Sequence, residues 1–197
     1  TKKCHKVLVS DTVDHKVTEV VETYAHFNGF DVVHIPETEG STDFTAMEKL
    51  IDEGAVAGVI VQQPNRYGIV EDLTGVADTC RKRKALFIIN SVAADLALLK
   101  TPGEWGADVA VGEGQSLGIP MCWGGPYIGY MCVKEKLMRK MPGRIVGKTT
   151  DSKGQRAFVL TLQAREQHIR REKATSNICS NQSLMALWVT IYMATMG

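Results

Sequence analysis

Two stretches of the chain concentrate residue types capable of chemistry. Gly112-Glu-Gly-Gln-Ser-Leu-Gly118 directly follows an apolar run at 108–111. A glycine-rich segment in that position can turn backbone N–H groups toward a phosphate. Its spacing fits neither G-x-G-x-x-G nor a P-loop with its lysine, and a turn whose glycines need positive φ explains it as well. The second stretch, 163–173, is dense in charge and has Ile169 as its one large apolar residue. A helix polar nearly all round gains little from a core, so it bridges domains, binds something charged, or unfolds. Arg165, His168, Arg170, Arg171 and Lys173, followed at once by Thr175, Ser176 and Asn177, offer two-point guanidinium forks and short hydroxyl and amide groups. They are expected at an interface or a ligand contact. The bland rival is a solvated face laced by pairs such as Glu166 with Arg170, worth only about 0.3 kcal/mol each.

Elsewhere the reactive residues are scattered. The five cysteines (Cys4, Cys80, Cys122, Cys132, Cys179) form no CxxC pair and no metal-ligand spacing, which argues for reduced thiols and against a disulfide framework or a zinc site. Cys179 reads as a buried, inert thiol rather than a redox centre. The five histidines are equally dispersed and read as structural or surface residues. Of the tryptophans, Trp105 and Trp123 are candidate binding aromatics, whereas Trp188 lies in a helical apolar stripe and is expected in the core.

The elements that must position these residues follow from composition and periodicity. With 197 residues, 44% hydrophobic and 23% charged, the chain has the bulk of one compact domain with a real core. A net charge of +1 from 23 basic and 22 acidic residues, interleaved throughout, builds no field for nucleic acid or an anionic membrane. The longest apolar runs, such as 55–61, are far too short to cross a bilayer, and Thr1-Lys2-Lys3-Cys4-His5 lacks the apolar core of a signal peptide, so a cytoplasmic location is expected. The absence of an initiator methionine and a stop just after a helix read as a piece of something longer.

Short, continuously apolar runs at 6–10, 31–35, 56–62, 86–90 and 108–111 alternate with helical periodicity. Val17, Val20, Val21 and Tyr24 mark one helix, stopped by Asn28-Gly29. Phe44, Met47, Leu50 and Ile51 mark a second, capped from within Ser41-Thr42-Asp43, and 72–84 reads as a third. Strands apolar on both faces, alternating with helices, predict a three-layer α/β/α fold around a mostly parallel sheet. The regularity breaks after 111. A strand at 127–133 follows the glycine-rich stretch, 158–162 leads into the charged segment, and 181–196 regains an apolar helical face through Leu184, Leu187, Trp188, Ile191 and Tyr192.

Longer strings carry more than any single motif. Gly112-Glu-Gly-Gln-Ser-Leu-Gly-Ile-Pro120, Trp123-Gly-Gly-Pro126, Met141-Pro-Gly-Arg-Ile-Val-Gly147 and 162–179, with Val61-Gln-Gln-Pro-Asn65 and Leu99-Lys-Thr-Pro-Gly-Glu104 upstream, resemble the subunit 1 side of the glycine cleavage system P-proteins across essentially the whole chain. That resemblance implies the large domain of the aspartate-aminotransferase fold (fold type I), with residues 1–197 a single large-domain fragment lacking an N-terminal part and a C-terminal small domain. It implies a cytoplasmic, heterotetrameric glycine dehydrogenase (aminomethyl-transferring). Together with subunit 2, such an enzyme decarboxylates glycine on pyridoxal phosphate and passes the aminomethyl group to the lipoyl group of H-protein.

The same resemblance locates the cofactor elsewhere. The family's His-Lys pair belongs to the second half, and Gln115 and Ser116 stand at the matching positions here; neither side chain can form an aldimine. Val92 stands where the family has the aspartate that pairs with the pyridine nitrogen, with Asp95 or Asn90 as substitutes. The expectation is therefore no catalytic residue, no cofactor and no metal in this chain, with pyridoxal phosphate in the partner subunit. Two rival readings remain: a self-contained pyridoxal-phosphate enzyme using another lysine such as Lys100 or Lys173, and a nucleotide-binding module at 112–118.

Overall fold

In a computed structural model of the chain, residues 4–142, 145–161, 172 and 180–196 are described. The chain divides into two compact units, Thr1–Cys132 with Trp188–Gly197, and Val133–Leu187.

The first unit is built on a six-stranded sheet. Strands β1 (Lys6–Ser10), β2 (Asp31–Ile35), β5 (Val56–Gln62), β6 (Leu86–Asn90), β7 (Val109–Glu113) and β8 (Gly129–Val133) lie in the order β2-β1-β5-β6-β7-β8. Every pairing from β2 to β7 is parallel. The chain leaves β1 toward β2 through helix α1 (His15–Asn28), then returns across β1 to β5 through helix α2 (Phe44–Asp52). Helix α3 (Val76–Lys82) makes the next crossover, to β6.

Strand alternation sorts the core into two layers. Leu8, Val59, Val61, Phe87 and Ile89 face Met47 and Ile51 of α2 and Val76 and Cys80 of α3. Val9, Ile60 and Ile88 face Val17 and Val21 of α1. The predicted three-layer parallel fold is what the chain adopts. Cys80 is one consequence of this burial: the apolar layer, reinforced by the charge of Asp108, pushes its thiol up to about 12, so it behaves as a small hydrophobe.

Local signals account for the helix ends. Asp14 accepts from the Lys16 amide and Gly29 closes α1 in the left-handed conformation, while Asp43 caps α2 through the Ala46 amide. Several boundaries differ from expectation. Helix α3 starts at Val76 rather than at 72, because Asp72 spends its carboxylate on the amide and hydroxyl of Thr74 and Gly75 then turns left-handed. A small antiparallel hairpin, β3 (Glu37–Thr38) with β4 (Ser41–Thr42), occupies a stretch too polar to announce itself as strand. On α1, Val17 and Val21 face the core as expected, but Val20 and Tyr24 are exposed.

The second unit contains a hairpin of β9 (Val146–Thr150) and β10 (Arg156–Leu160), turned at residues 151–155 where the Asp151 carboxylate accepts from the amides of Lys153 and Gln155. The last described helix, Ser180–Met196, corrects an expectation: Met185 and Val189 are its buried residues, whereas Leu184, Leu187 and Ile191 are exposed and Trp188 is 44% exposed. The helix is apolar almost all round, so periodicity cannot choose a face.

Candidate functional site

In a parallel sheet whose connections diverge, crevices open at the carboxyl ends of the strands. A cavity of ≈ 580 Å³ lies there, beyond β5, β6 and β7. Polar residues ending apolar strands build its floor. Gln62, the last residue of β5, accepts from the Asp14 amide and from the Asn90 side chain, both at 3.0 Å, which ties α1, β5 and β6 together. Asn90 ends β6, and Asp95 stands in a 3₁₀ turn (Ala93–Ala97) just beyond; both line the cavity, as does Val92.

The opposite wall comes from β7 and β8. Glu113 accepts from the amides of Gln115 at 2.7 Å and Ile128 at 3.1 Å, and the Tyr130 hydroxyl donates to the Ser91 carbonyl at 2.9 Å. Burial raises the Tyr130 pKa; the hydrogen bond from Ser91 opposes this, while Cys132 and Asp95 add to it. Tyr130 is a phenol, not a phenolate, at neutral pH.

A hydrogen-bonded wall backs the cavity. Glu71, buried, accepts from the Asn65 side chain at 2.7 Å and the Thr42 amide at 3.2 Å; Gln63 exchanges two hydrogen bonds with the Glu71 backbone. Ser10, Thr12 and Thr42 close a triangle of hydroxyls within 3.0 Å of one another. Asn65 itself lines the cavity, so this network sets the position of one wall.

Gln115 and Ser116 lie just past β7, and neither lines the cavity. The Gln115 amide instead donates to the Pro126 carbonyl at 2.7 Å, and Ser116 is exposed. Among the described residues lining the cavity there is no lysine, arginine or histidine. Lys100 is exposed, with its ammonium 3.7 Å from the Trp105 ring, and does not line it; Lys173 is outside the described residues. The glycine segment offers little to a nucleotide phosphate, since the amides of Gly114, Gln115, Leu117 and Ile119 are already bonded within the protein. Only Gly118 there has positive φ; Gly112 is a glycine because an added Cβ would sit 1.7 Å from the Ser91 carbonyl oxygen. The charged segment Arg165, His168, Arg170, Arg171, Lys173, Thr175, Ser176 and Asn177, and Cys179, lies outside the described residues.

The profile of the glycine cleavage system P-protein matches residues 1–197. This chain belongs to the glycine cleavage system P-protein family. A probable glycine dehydrogenase (decarboxylating) subunit 1 from Moorella thermoacetica is 54% identical over 192 residues, covering 98% of this chain and 43% of that protein. The crystal structure of a glycine decarboxylase (P-protein) of the glycine cleavage system, in inhibitor-bound form, superposes with a TM-score of 0.89 at 42% identity, over 98% of this chain and 43% of that one. The fold recurs in a ureidoglycine-glyoxylate aminotransferase from Bacillus subtilis at a TM-score of 0.55 and 20% identity, covering 68% of this chain and 34% of that one. Its three-layer sheet is therefore the aspartate-aminotransferase type, and the chain spans less than half the length of the P-proteins it matches.

Sequence reasoning reached Asn90 and Asp95 but missed Gln62, Ser91, Glu113 and Tyr130. The signal for three of these was position: a polar residue at or just after the carboxyl end of an apolar strand points at the crevice. For Tyr130, on β8, no such signal exists.

A smaller crevice of ≈ 200 Å³ lies between α1, β2 and the loops after β1 and β5, lined by Asp11, His15, His34, Glu37 and Arg66 among others. His34 holds Asp11 at 2.8 Å through Nδ1 and Glu22 at 3.2 Å through Nε2. Burial works against its charge, but the hydrogen bonds and attraction of the two carboxylates prevail and raise its pKa. A raised pKa contributes stability that is complete below the unfolded value, about 6.5, and is lost as pH rises through the folded value. Because the site is half exposed, the loss should be only about 0.5 kcal/mol. Urea midpoints for this chain should accordingly fall slightly from pH 6 to pH 8.5, and His34→Asn should abolish that segment of the profile; an identical slope in the variant would refute the assignment.

Proposed function

We propose that this chain is the large-domain portion of the subunit 1 half of a cytoplasmic, heterotetrameric glycine-decarboxylating P-protein, and that this half carries no cofactor. Its partner, subunit 2, holds pyridoxal phosphate; the assembled enzyme decarboxylates glycine and hands the aminomethyl group to the lipoyl arm of H-protein. The observation that carries the reading is the 54% identity to a protein named subunit 1 over nearly the whole chain. The donor set argues the same way. Pyridoxal phosphate needs an amine for its aldehyde and cations or free N–H groups for its phosphate, and the cavity lining offers Asp95 and Glu113 with no basic residue among the described residues. The residues present do not fit the group.

On this reading Gln115 and Ser116 replace the His-Lys pair, and Arg165, His168, Arg170, Arg171, Lys173, Thr175, Ser176 and Asn177 belong to the contact with subunit 2. Glycine-dependent exchange of carbon dioxide, measured with lipoylated H-protein, tests it. The complete subunit 1 alone is expected to give none and to leave no stoichiometric pyridoxyl-lysine after borohydride reduction. Addition of subunit 2 is expected to restore exchange. Activity from subunit 1 alone, or a single fully labelled lysine in it, would overturn the proposal.

A further inference from the structure

Two histidines face the same small crevice, and their hydrogen bonds demand opposite charge states. His34 reaches the Asp11 carboxylate through Nδ1 at 2.8 Å and the Glu22 carboxylate through Nε2 at 3.2 Å. Ionised carboxylates only accept, so both ring nitrogens carry a proton and His34 is an imidazolium. His15 lies against the Arg66 guanidinium, a group with donors and no lone pair. A ring nitrogen that accepts from Arg66 must be bare, so His15 is neutral in this arrangement.

The contact of Arg66 with His15 joins two walls of the larger cavity. His15 is the first residue of α1, whose Val17 lines that cavity; Arg66 lies in the loop after β5, whose Pro64, Asn65 and Gly68 line it too. The backbone adds a further tie, from the Arg66 amide to the Thr12 carbonyl at 2.9 Å, and Asn65 accepts from the amides of Tyr67 and Ile69. Those bonds do not respond to pH in the neutral range. The His15 contact does.

Acid acts on it in two ways. Protonation removes the lone pair that accepts from Arg66, and it sets two cations side by side at the N-terminus of a helix, the end that disfavours positive charge. Arg66 has another partner to fall back on. Glu37 of β3 lies 3.6 Å from it, and the Tyr67 hydroxyl accepts from Arg66 while donating to Glu37 at 2.9 Å. Of the acids on or facing this end of α1, Asp11 and Glu22 are held by His34 and Asp14 by the Lys16 amide. Glu37, shared with Arg66, and Glu19, one turn along α1, are left to draw a charged His15 away.

We propose that His15 and Arg66 form a proton-operated latch between α1 and the loop at 64–68. It is shut when His15 is neutral and released when His15 is charged, so that acid loosens one wall of the cavity. Histidine changes charge between about pH 5 and pH 8, so the latch is read across that range. His34 responds in the opposite sense, its bridge being complete in acid and lost toward alkali. The sign of the pH dependence therefore separates the two.

The test is amide hydrogen exchange on the complete subunit at pH 5 and pH 7.5, each rate divided by the intrinsic rate at that pH. Protection at Arg66, Tyr67, Gly68 and Ile69, relative to β6, is expected to fall at least about threefold from pH 7.5 to pH 5. His15→Gln keeps an acceptor and takes no charge, so its loop should stay protected at both pH values. His15→Lys has a charge and no lone pair, so its loop at pH 7.5 should match the unaltered loop at pH 5. His34→Asn should leave the acid loosening in place. Four outcomes overturn the proposal: loop protection that does not change with pH; a fall that persists in His15→Gln; a His15→Lys loop as protected as the unaltered one at pH 7.5; or a fall that disappears in His34→Asn. Each concerns subunit 1 by itself, so none bears on whether subunit 2 holds the cofactor.

Discussion

Gly112→Ala should destabilise the chain far more than a methyl group ordinarily does. The Cβ would lie 1.7 Å from the Ser91 carbonyl oxygen and 2.8 Å from both the Ser91 carbonyl carbon and Cε1 of Tyr130. Two of these neighbours are backbone atoms just past β6, and that carbonyl also accepts from the Tyr130 hydroxyl, so neither strand can yield without breaking the cavity rim. Overpacking usually costs ~1–3 kcal/mol, and a rigid backbone obstacle belongs at or above the upper end of that range. Against a total stability of about 5–15 kcal/mol, such a loss is large. Urea denaturation of the purified chain measures it, with Gly114→Ala as comparison, because the added Cβ there meets Ile128 at 3.3 and 3.4 Å, distances that small shifts relieve. Equal midpoints for the two variants would show that β7 does not approach Ser91 this closely.

Glu71→Ala is the second substitution with a large expected cost. It removes the acceptor of the Asn65 side-chain amide and of the Thr42 amide, two donors in buried surroundings. A buried donor left without a partner costs ~1–3 kcal/mol, so the pair should cost about 3 kcal/mol, Asn65 retaining its bond to the Gly40 carbonyl. The damage should be local. Gln63 and the Glu71 backbone keep their two mutual bonds, whereas the β3–β4 hairpin and the turn at 65–69 lose one of the groups that join them. Hydrogen exchange should therefore speed up in residues 37–42 and 65–69 while β6 and β7 keep their protection. Uniform acceleration across the sheet, or none, would contradict the role assigned to Glu71.

How far the fold could be read in advance depended on how strongly each segment was patterned. β1, β2, β5 and β6 carry continuous apolarity because both their faces are covered, and their predicted limits, 6–10, 31–35, 56–62 and 86–90, match the structure. The stop at Gly29 and a cap within Ser41-Thr42-Asp43 were legible for the same reason, that such preferences are local, while only the structure selects Asp43 among the three. The helix Ser180–Met196 was not legible as to face, since it lacks a polar side to mark solvent. The β3–β4 hairpin was missed because its residues, Glu37, Thr38, Ser41 and Thr42, are stabilised by a network that closes only when Glu71, 29 residues beyond Thr42, arrives beside it.

The candidate site divides in a similar way. That Gln115 and Ser116 cannot form an aldimine is a property of their side chains and needs no coordinates. By contrast, three facts come only from tertiary structure: that the cavity gathers Asn90, Asp95 and Glu113 from separate segments, that the Gln115 amide faces Pro126 rather than the cavity, and that Trp123 stands at φ 54° with its ring in solvent. Covalent chemistry and strand or helix preference reside in single residues or short windows and are therefore written in the sequence. The direction in which a side chain points after a loop is set by hydrogen bonds between positions far apart in the chain, here Gln115 with Pro126 and Gln62 with Asn90, and those partners meet only once the sheet has formed.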